Sequence, residues 1–312
     1  MDQQTPTPEA SFDALPDEWR RAFTHLVAPY QVVATASRGA DDPEWQRLSE
    51  AAFPDLVGLW ALALEPELLA ALRENGVAPG MRVLDAACGP GVISRTLLTA
   101  GADEVIGLDL SDAMLAAARA GPSCAAGKRL SFAQGDLTQP LPFADAAFDA
   151  VFFGDFWRDE ALPELQRALR PGGRLIVKMG GPAPALTYAW DARLAARVEL
   201  ALVEGFAHAQ GGSYAQETET SGYGRLREQA TMRNLRMKTY LVERFAPVPA
   251  VFALALTQHF ALWEGGFLRA AADDELWNEA AALYDDAQPA TLFRRPDGHF
   301  LRSFCVATAT LA

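Results

Sequence analysis

The sequence predicts an α/β protein built on a doubly wound, mostly parallel sheet, with an N-terminal helical cover and further helical segments inserted late in the chain. Three observations carry this. Between residues 81 and 180, short apolar runs alternate with helix-patterned segments, the order that builds βαβ units. The first run breaks into a glycine-rich turn, Cys88-Gly89-Pro90-Gly91, that opens a helix. Acidic residues stand directly after the first two runs, at Asp85 and Asp109, and just beyond the third, at Asp136.

The elements follow in order. Residues 1–11 are polar and Pro-containing and read as a disordered tail. Residues 12–80 read as the N-terminal helical cover: Leu56, Leu59, Trp60, Ala63, Leu64, Leu68, Leu69 and Leu72 recur at spacings of three and four. Pro66 interrupts that run, so two helices are predicted, the second starting near it. Gly76 suits a helix end and Pro79-Gly80 a turn. Strands are predicted at 81–84, 104–108, 130–133, 148–153 and 175–179, with helices at 92–100 and 113–120. Right-handed crossovers put every strand C-terminus on one edge, where open α/β sheets bind ligands. After Gly180-Gly181-Pro182, residues 181–312 read as helical insertions plus the last strands of the sheet. A long helix is predicted over 186–209, a polar Gly-rich loop over 210–224, strands at 239–245 and 300–309, and helix over about 250–287.

Composition bounds the function. The 312 residues are 50% hydrophobic and 21% charged, enough apolar side chain for a sizeable core. The formal charge of −13 repels phosphate backbones, so no nucleic-acid partner is expected. Cys88, Cys124 and Cys305 have neither disulfide-framework nor zinc spacing, and no two histidines have metal-ligand spacing, so no metal is expected. The start of the chain shows no secretory pattern. The longest apolar stretches, 56–64 and 248–256, fall well short of the roughly 20 residues of a bilayer span. A cytoplasmic protein with no membrane association is the expectation.

The chemistry sits at the strand tips. Arg82-Val-Leu-Asp85-Ala-Ala-Cys-Gly89-Pro-Gly91 is a buried strand ending in a carboxylate, then a turn whose glycines let the backbone approach a ligand. Twenty-four residues after Asp85, Asp109 ends the second strand, where a carboxylate can accept both hydroxyls of a ribose. Two nucleotide readings compete. A dinucleotide fingerprint wants a third glycine, but that position is Ser94, and Asp85 would repel a pyrophosphate. A ligand with an amine, a ribose and an adenine but no phosphate suits all three acids. S-adenosylmethionine (SAM) is such a ligand.

Four linked segments carry a family resemblance: Val83-Leu-Asp85-Ala-Ala-Cys-Gly89-Pro-Gly91, Gly107-Leu-Asp109-Leu-Ser-Asp-Ala-Met114-Leu, Gly135-Asp136-Leu137, and Leu169-Arg-Pro171-Gly172-Gly173-Arg-Leu-Ile-Val177. Over 81–180 the chain resembles the class I SAM-dependent methyltransferases, close to the small-molecule group that includes the ubiquinone/menaquinone-biosynthesis C-methyltransferases. The resemblance implies a Rossmann-like fold and SAM as cofactor. It implies that Asp85, Ala86, Gly89 and Gly91 hold the methionine moiety, and that Asp109 binds the ribose. Leu110 and Met114 would pack near the adenine, with Asp136 accepting from its amino group and Leu137 beside the ring. Pro171-Gly172-Gly173 would be the turn entering the fifth strand. One position departs from the pattern: Ala87 stands where the family usually has its first glycine, and only a small backbone adjustment is expected there.

Other residues have a functional reading beside a plainer one. Asp155, Phe156 and Trp157 follow the fourth strand, at the tip that faces the transferring methyl in this fold. They read as site lining, with Asp155 a candidate catalytic base; the plainer reading is a solvated acid and two core aromatics. His25 is a second candidate base, and His208 and His259 could serve too, although scattered histidines are commonly structural. Tyr30 reads as site lining or as a packed core tyrosine. Arg225, Arg227, Arg233, Arg236 and Lys238 make the one basic stretch, read as a solvated helix face rather than an anion site.

The expected function is methyl transfer from SAM to a small, largely apolar organic acceptor, at oxygen, carbon or nitrogen, in a dry covered site; a homodimer is compatible with this. The alternatives are a SAM-binding protein that does not methylate and a methyltransferase acting on protein or RNA. An NAD-dependent oxidoreductase ranks third.

Overall fold

The structure, a computed structural model, describes residues 12, 15–154, 158–180, 191–209, 224, 226–229, 231–285, 291–292, 295 and 297–312. Seven strands form one sheet: β1 (Arg82–Ala86), β2 (Glu104–Asp109), β3 (Arg129–Gln134), β4 (Phe148–Gly154), β5 (Leu169–Gly180), β6 (Met232–Phe245) and β7 (His299–Leu311), in the order β3-β2-β1-β4-β5-β7-β6. The first five run parallel, and β7 pairs antiparallel with β5. The two late strands expected to complete the sheet do so. The winding direction reverses between β1 and β4, the switch point where ligands enter sheets of this kind.

The chain divides into two compact units. One comprises Leu64–Pro182, Glu217–Leu241 and Ser303–Ala312; the other comprises Met1–Ala63, Ala183–Gln216 and Val242–Arg302. The first carries most of the sheet, so it is called the sheet unit here; the second is the helical unit.

In the sheet unit, α4 (Glu65–Glu74), α5 (Val92–Ala100), α6 (Asp112–Ala120) and α7 (Leu162–Ala168) connect or flank the strands. Pro66 lies in the first turn of α4, where a missing N–H costs nothing, and Gly76 follows the helix with φ +92°. Both match the sequence expectation. Val83 and Leu84 in β1, Leu108 in β2 and Val151 to Phe153 in β4 are buried, as strands covered on both faces must be. Leu84, Leu108, Val151, Phe153, Leu175 and Val177 belong to one apolar cluster that fixes the central strands, and so the height of their tips.

Two expectations are corrected. Pro171-Gly172-Gly173 is not a turn ahead of the fifth strand but an irregularity inside it. Leu169 pairs with Phe148 and Arg174 with Ala150, so extra β5 residues are bulged out, with Gly172 at φ +76°. Arg227 is exposed in a short helical segment, but the rest of the described basic stretch is not a helix face. Arg233, Arg236 and Lys238 lie on β6, at the sheet edge, and Arg225 lies outside the described residues. Packing decides this: Tyr240 stacks on Phe304 of β7 at 5.2 Å, and its hydroxyl donates to Glu74 and accepts from Asn75. Lys238 also binds Glu74, at 2.7 Å. Asn234, at φ +55°, resets the strand's alternation, a conformation that asparagine tolerates.

The helical unit contains α1 (Asp17–Ala22), α2 (Val32–Ala36), α3 (Pro43–Ala63), α8 (Ala192–Ala209), α9 (Ala250–His259), a π-helical turn (Phe260–Glu264), α10 (Gly265–Ala271) and α11 (Asp274–Ala282). The long helix therefore starts at Ala192 among the described residues, and residues 210–223 of the expected loop lie outside them. Trp45, Phe267 and Ala40 form a buried cluster with Leu202, Phe206 and Trp263 around it. Gly205 lets α8 lie directly on α10: a Cβ there would stand 2.2 Å from the Phe267 carbonyl oxygen. The fully buried Gln258 side chain bonds both the N–H and the carbonyl of Val27, pinning the extended segment before α2. Among the described residues no helix is long and apolar enough to cross a membrane.

Candidate functional site

Asp85 sits near the C-terminal end of β1 and is 1% exposed. Four successive β1 residues are buried, as in a parallel strand covered on both faces. Its Oδ2 accepts a 2.5 Å hydrogen bond from Ser94 Oγ in the first turn of α5. Burial, with the negative charge of Asp109 adding to it, pushes the Asp85 carboxyl up to about 7, and Ser94 pulls only partly the other way. A cation brought to this carboxyl would be strongly favoured. Ser94, read from the sequence as a missing third glycine, is thus the Asp85 hydrogen-bond donor. The only sequence signal for it was a hydroxyl in the first turn after the glycine loop.

The loop from Ala87 to Gly91 turns by left-handed backbone at Ala87 (φ +59°), Gly89 (φ +53°) and Gly91 (φ +74°). Alanine in this region costs about 1–2 kcal/mol, which explains why a glycine serves well where Ala87 stands. Gly91 has a second reason: a Cβ there would lie 2.7 Å from Phe132 and 2.8 Å from Arg95. The loop is tied to β2 by the Cys88 N–H bonding the Leu108 carbonyl at 2.9 Å. Burial and the charges of Asp85 and Asp109 raise the Cys88 thiol, keeping it protonated and inert.

Asp109 ends β2 and accepts from the Gly89 N–H at 2.8 Å and the Ser111 N–H at 2.9 Å, one on each oxygen. Each carboxylate oxygen keeps a further lone pair, so the group is held rigid yet can accept two more hydrogens. Ser111 caps α6 through the Met114 N–H. Leu110, next to Asp109, is 63% exposed, an apolar side chain left open beside the acid. Asp136 accepts from the N–H and the hydroxyl of Thr138, which hold its carboxyl below the usual range, so it is a permanent acceptor. Leu137 beside it is buried and Met114 is half-buried.

These groups suit the ligand that the resemblance implies. A near-neutral buried carboxyl suits an ammonium, the anchored Asp109 a pair of ribose hydroxyls, and an ionised Asp136 beside apolar side chains an adenine with its amino group. The same set suits a pyrophosphate poorly, because the loop glycines lie between two acids.

The remaining candidates stand elsewhere. Asp155, Phe156 and Trp157 lie outside the described residues. Tyr30, in the helical unit, is 85% exposed rather than a packed core tyrosine. His25 has a partner that the sequence did not reveal: Asp55, 2% exposed, accepts from the His25 backbone N–H at 2.7 Å and lies 3.6 Å from ring Nδ1. Burial raises the Asp55 carboxyl, and the His25 contacts pull it back only in part. His208 lies 3.8 Å from Asp41, and His299 pairs with Glu243 at 2.8 Å. Among the described residues no group of three His, Cys, Asp or Glu is placed to hold a metal ion.

Residues 83–173 match the methyltransferase domain family. The chain is 33% identical over 177 residues to the demethylmenaquinone methyltransferase of Renibacterium salmoninarum, a match covering 54% of this chain and 61% of the other. It is 42% identical over 117 residues to the protein of the same name from Beutenbergia cavernae, covering 35% of this chain and 44% of that one. The chain thus spans less than two thirds of the length of these curated relatives. Among solved structures, phosphoethanolamine N-methyltransferase 2 of Haemonchus contortus in complex with S-adenosyl-L-methionine aligns at 19% identity and a TM-score of 0.45, covering 79% of this chain and 52% of that one. At that score the likeness carries no weight for function.

Proposed function

We propose that this chain, whose residues 83–173 form a class I SAM-dependent methyltransferase domain, transfers a methyl group from SAM to a small, largely apolar organic acceptor. The observation that carries this reading is the row of three acids at adjacent strand ends: Asp85 buried beside Ser94, Asp109 held by two backbone N–H groups, and Asp136 fixed by Thr138. Each fits one part of a nucleoside that has an amine and no phosphate.

When bound, SAM supplies a methyl carbon made electrophilic by its sulfonium. The chain does the rest by placement. Asp109 takes the ribose hydroxyls and fixes the cofactor's height on the sheet edge. Leu110, Met114 and Leu137 give the adenine an apolar seat, and Asp136 accepts from its amino group. Asp85, Ala86, Gly89 and Gly91 hold the methionine end. Orientation of this kind removes much of the entropic barrier of a two-molecule reaction. The acceptor loses a proton as the methyl arrives, so the products are methylated acceptor, S-adenosylhomocysteine and a proton. The sequence offers Asp155 as the proton acceptor in this reading, with Phe156 and Trp157 next to it in the chain. The relatives are named for demethylmenaquinone, which favours a quinol-type acceptor. The enzyme works in the cytoplasm, with neither nucleic acid nor membrane as partner, as a monomer or a homodimer.

The test is to incubate the purified protein with SAM and chemically reduced demethylmenaquinone and to follow both products by mass spectrometry. Methylated quinol and S-adenosylhomocysteine should appear one to one. Tight SAM binding with no S-adenosylhomocysteine formed from that quinol or from a panel of simpler phenols would instead favour a SAM-binding protein that does not methylate.

A further inference from the structure

In the proposed function the cofactor lies across three neighbouring strand ends: its adenine at Asp136 after β3, its ribose at Asp109 on β2, and its methionine end at Asp85 on β1. The next ends along the sheet are those of β4 and β5, so the acceptor stands on that side. Strand pairing fixes which residues meet it. Asp85 is level with Gly107 of β2 and Phe152 of β4, and Phe152 with Ile176 of β5. Two residues further along each strand, on the same face, come Asp109, Gly154 and Lys178, the last two being direct partners. Lys178 therefore stands in the row of the ribose-binding acid, three strand spacings away, or roughly 14 Å. Between them come only Gly154 and the turn at Ala87, and both keep part of their surface open. Gly154 puts no side chain into that gap: a Cβ there would stand 2.7 Å from the Phe152 ring and 3.6 Å from Lys178 Cβ. All of these residues belong to the sheet unit.

Lys178 is out of keeping with its strand. Its β5 neighbours Ile176, Val177 and Met179 are buried and apolar, and Lys178 is itself only 6% exposed. A charged group costs free energy in such a place, where another valine or isoleucine would pack. Its Nζ stands 5.7 Å from the centroid of the Phe304 ring, which in turn stacks on Tyr240. An aromatic face steadies a cation, and the three N–H donors of an ammonium let it serve more than one oxygen at once.

We infer that Lys178 is the cationic contact of the acceptor site: its ammonium holds the anionic oxygen of a phenol- or quinol-type acceptor lying across the ends of β4 and β5. The inference deepens the proposed function and rests on its methyl acceptor being a hydroxyl-bearing aromatic. The O–H proton leaves to a base, the oxygen keeps the electron pair, and Lys178 balances the new charge without gaining or losing a proton. The oxygen, or the ring carbon beside it, then bonds the methyl carbon as the C–S electron pair passes to sulfur. A ring carbon that attacks sheds its hydrogen as a proton afterwards, and the oxygen is reprotonated.

The experiment reads ionisation rather than transfer. The full chain, saturated with S-adenosylhomocysteine, is titrated with 4-nitro-1-naphthol, whose anion absorbs in the visible, at a pH where the free probe is mainly neutral. Wild type should raise the anion-to-neutral ratio of the bound probe about tenfold over that of the free probe, the effect of one opposite charge close by. Lys178→Met should abolish the rise and Lys178→Arg should keep part of it, with S-adenosylhomocysteine affinity unchanged in both. A crystal of the wild-type ternary complex, in which the probe oxygen should lie within hydrogen-bond distance of Nζ, keeps the test open if the variants fail to fold. No binding of the probe, no rise in wild type, a rise that survives in Lys178→Met, or a probe oxygen seated away from Nζ each overturns the inference. An ionised bound probe in a protein that methylates no hydroxyaromatic would sink the proposed function and leave this oxygen site standing. Methyl transfer with kcat unmoved by Lys178→Met would do the reverse.

Discussion

Asp85 shows how one residue can trade stability for binding. Its carboxyl is raised on folding from 3.8 to about 7, so the native chain holds that proton more tightly than the unfolded chain does. The group is therefore least costly below about pH 4, and the stability of the cofactor-free protein falls as pH rises through the window up to about 7. Asp85→Asn keeps an oxygen for Ser94 to donate to and carries no charge. In thermal unfolding at pH 5.5 and pH 8, this variant should lose part of the pH dependence and melt higher than wild type at pH 8, while binding SAM about tenfold more weakly. A lower melting point at pH 8 with an unchanged pH slope would contradict the account. The sequence revealed Asp85, Asp109 and Asp136 because each ends or follows an apolar run. It did not reveal Ser94 or Asp55 as partners, because contacts between elements leave no local periodicity. His259 could be seen only as one of four scattered histidines.

At the scale of elements, the glycine loop and the strands give contrasting lessons. The loop takes three left-handed residues, two of them glycine and the third Ala87 at φ +59°. Ala87→Gly relieves the strained Cβ but loosens the unfolded chain, so the expected net gain is about 0.5–1 kcal/mol. Urea unfolding of the cofactor-free protein measures it, and a destabilised variant would mean that the alanine side chain contributes packing that outweighs the strain. From β1 to β4, strands lay close to where alternating apolar runs and turns put them, because local pattern and sheet pairing agree there. Further on the two diverge. The β5 bulge read as a turn because Pro171-Gly172-Gly173 is turn chemistry, yet pairing with β4 continues on either side of it. The first half of β6 read as a polar helix face because Arg233, Arg236 and Lys238 dominate it. Its strand state comes from stacking on β7 and bonding to Glu74.

At the scale of the whole molecule, the two units divide the features by chemistry. The sheet unit carries the strand-end acids, and the helical unit carries the His25–Asp55 contact and His259, whose Nε2 has no hydrogen-bond partner among the described residues. The sheet class was legible because the segment that sets it is continuous in sequence. The composition of the helical unit was less so, because three separated stretches of chain build it and only tertiary packing joins them. The central claim is that the strand-end acids grip SAM, and Asp109 is where it is most exposed to test. Calorimetric titration of SAM into wild type and Asp109→Ala measures it directly. The account predicts saturable one-to-one binding to wild type, weakened in the folded variant by about 1–3 kcal/mol through lost charged hydrogen bonds to the ribose. No heat of binding to wild type, or equal affinity in the folded variant, would contradict it.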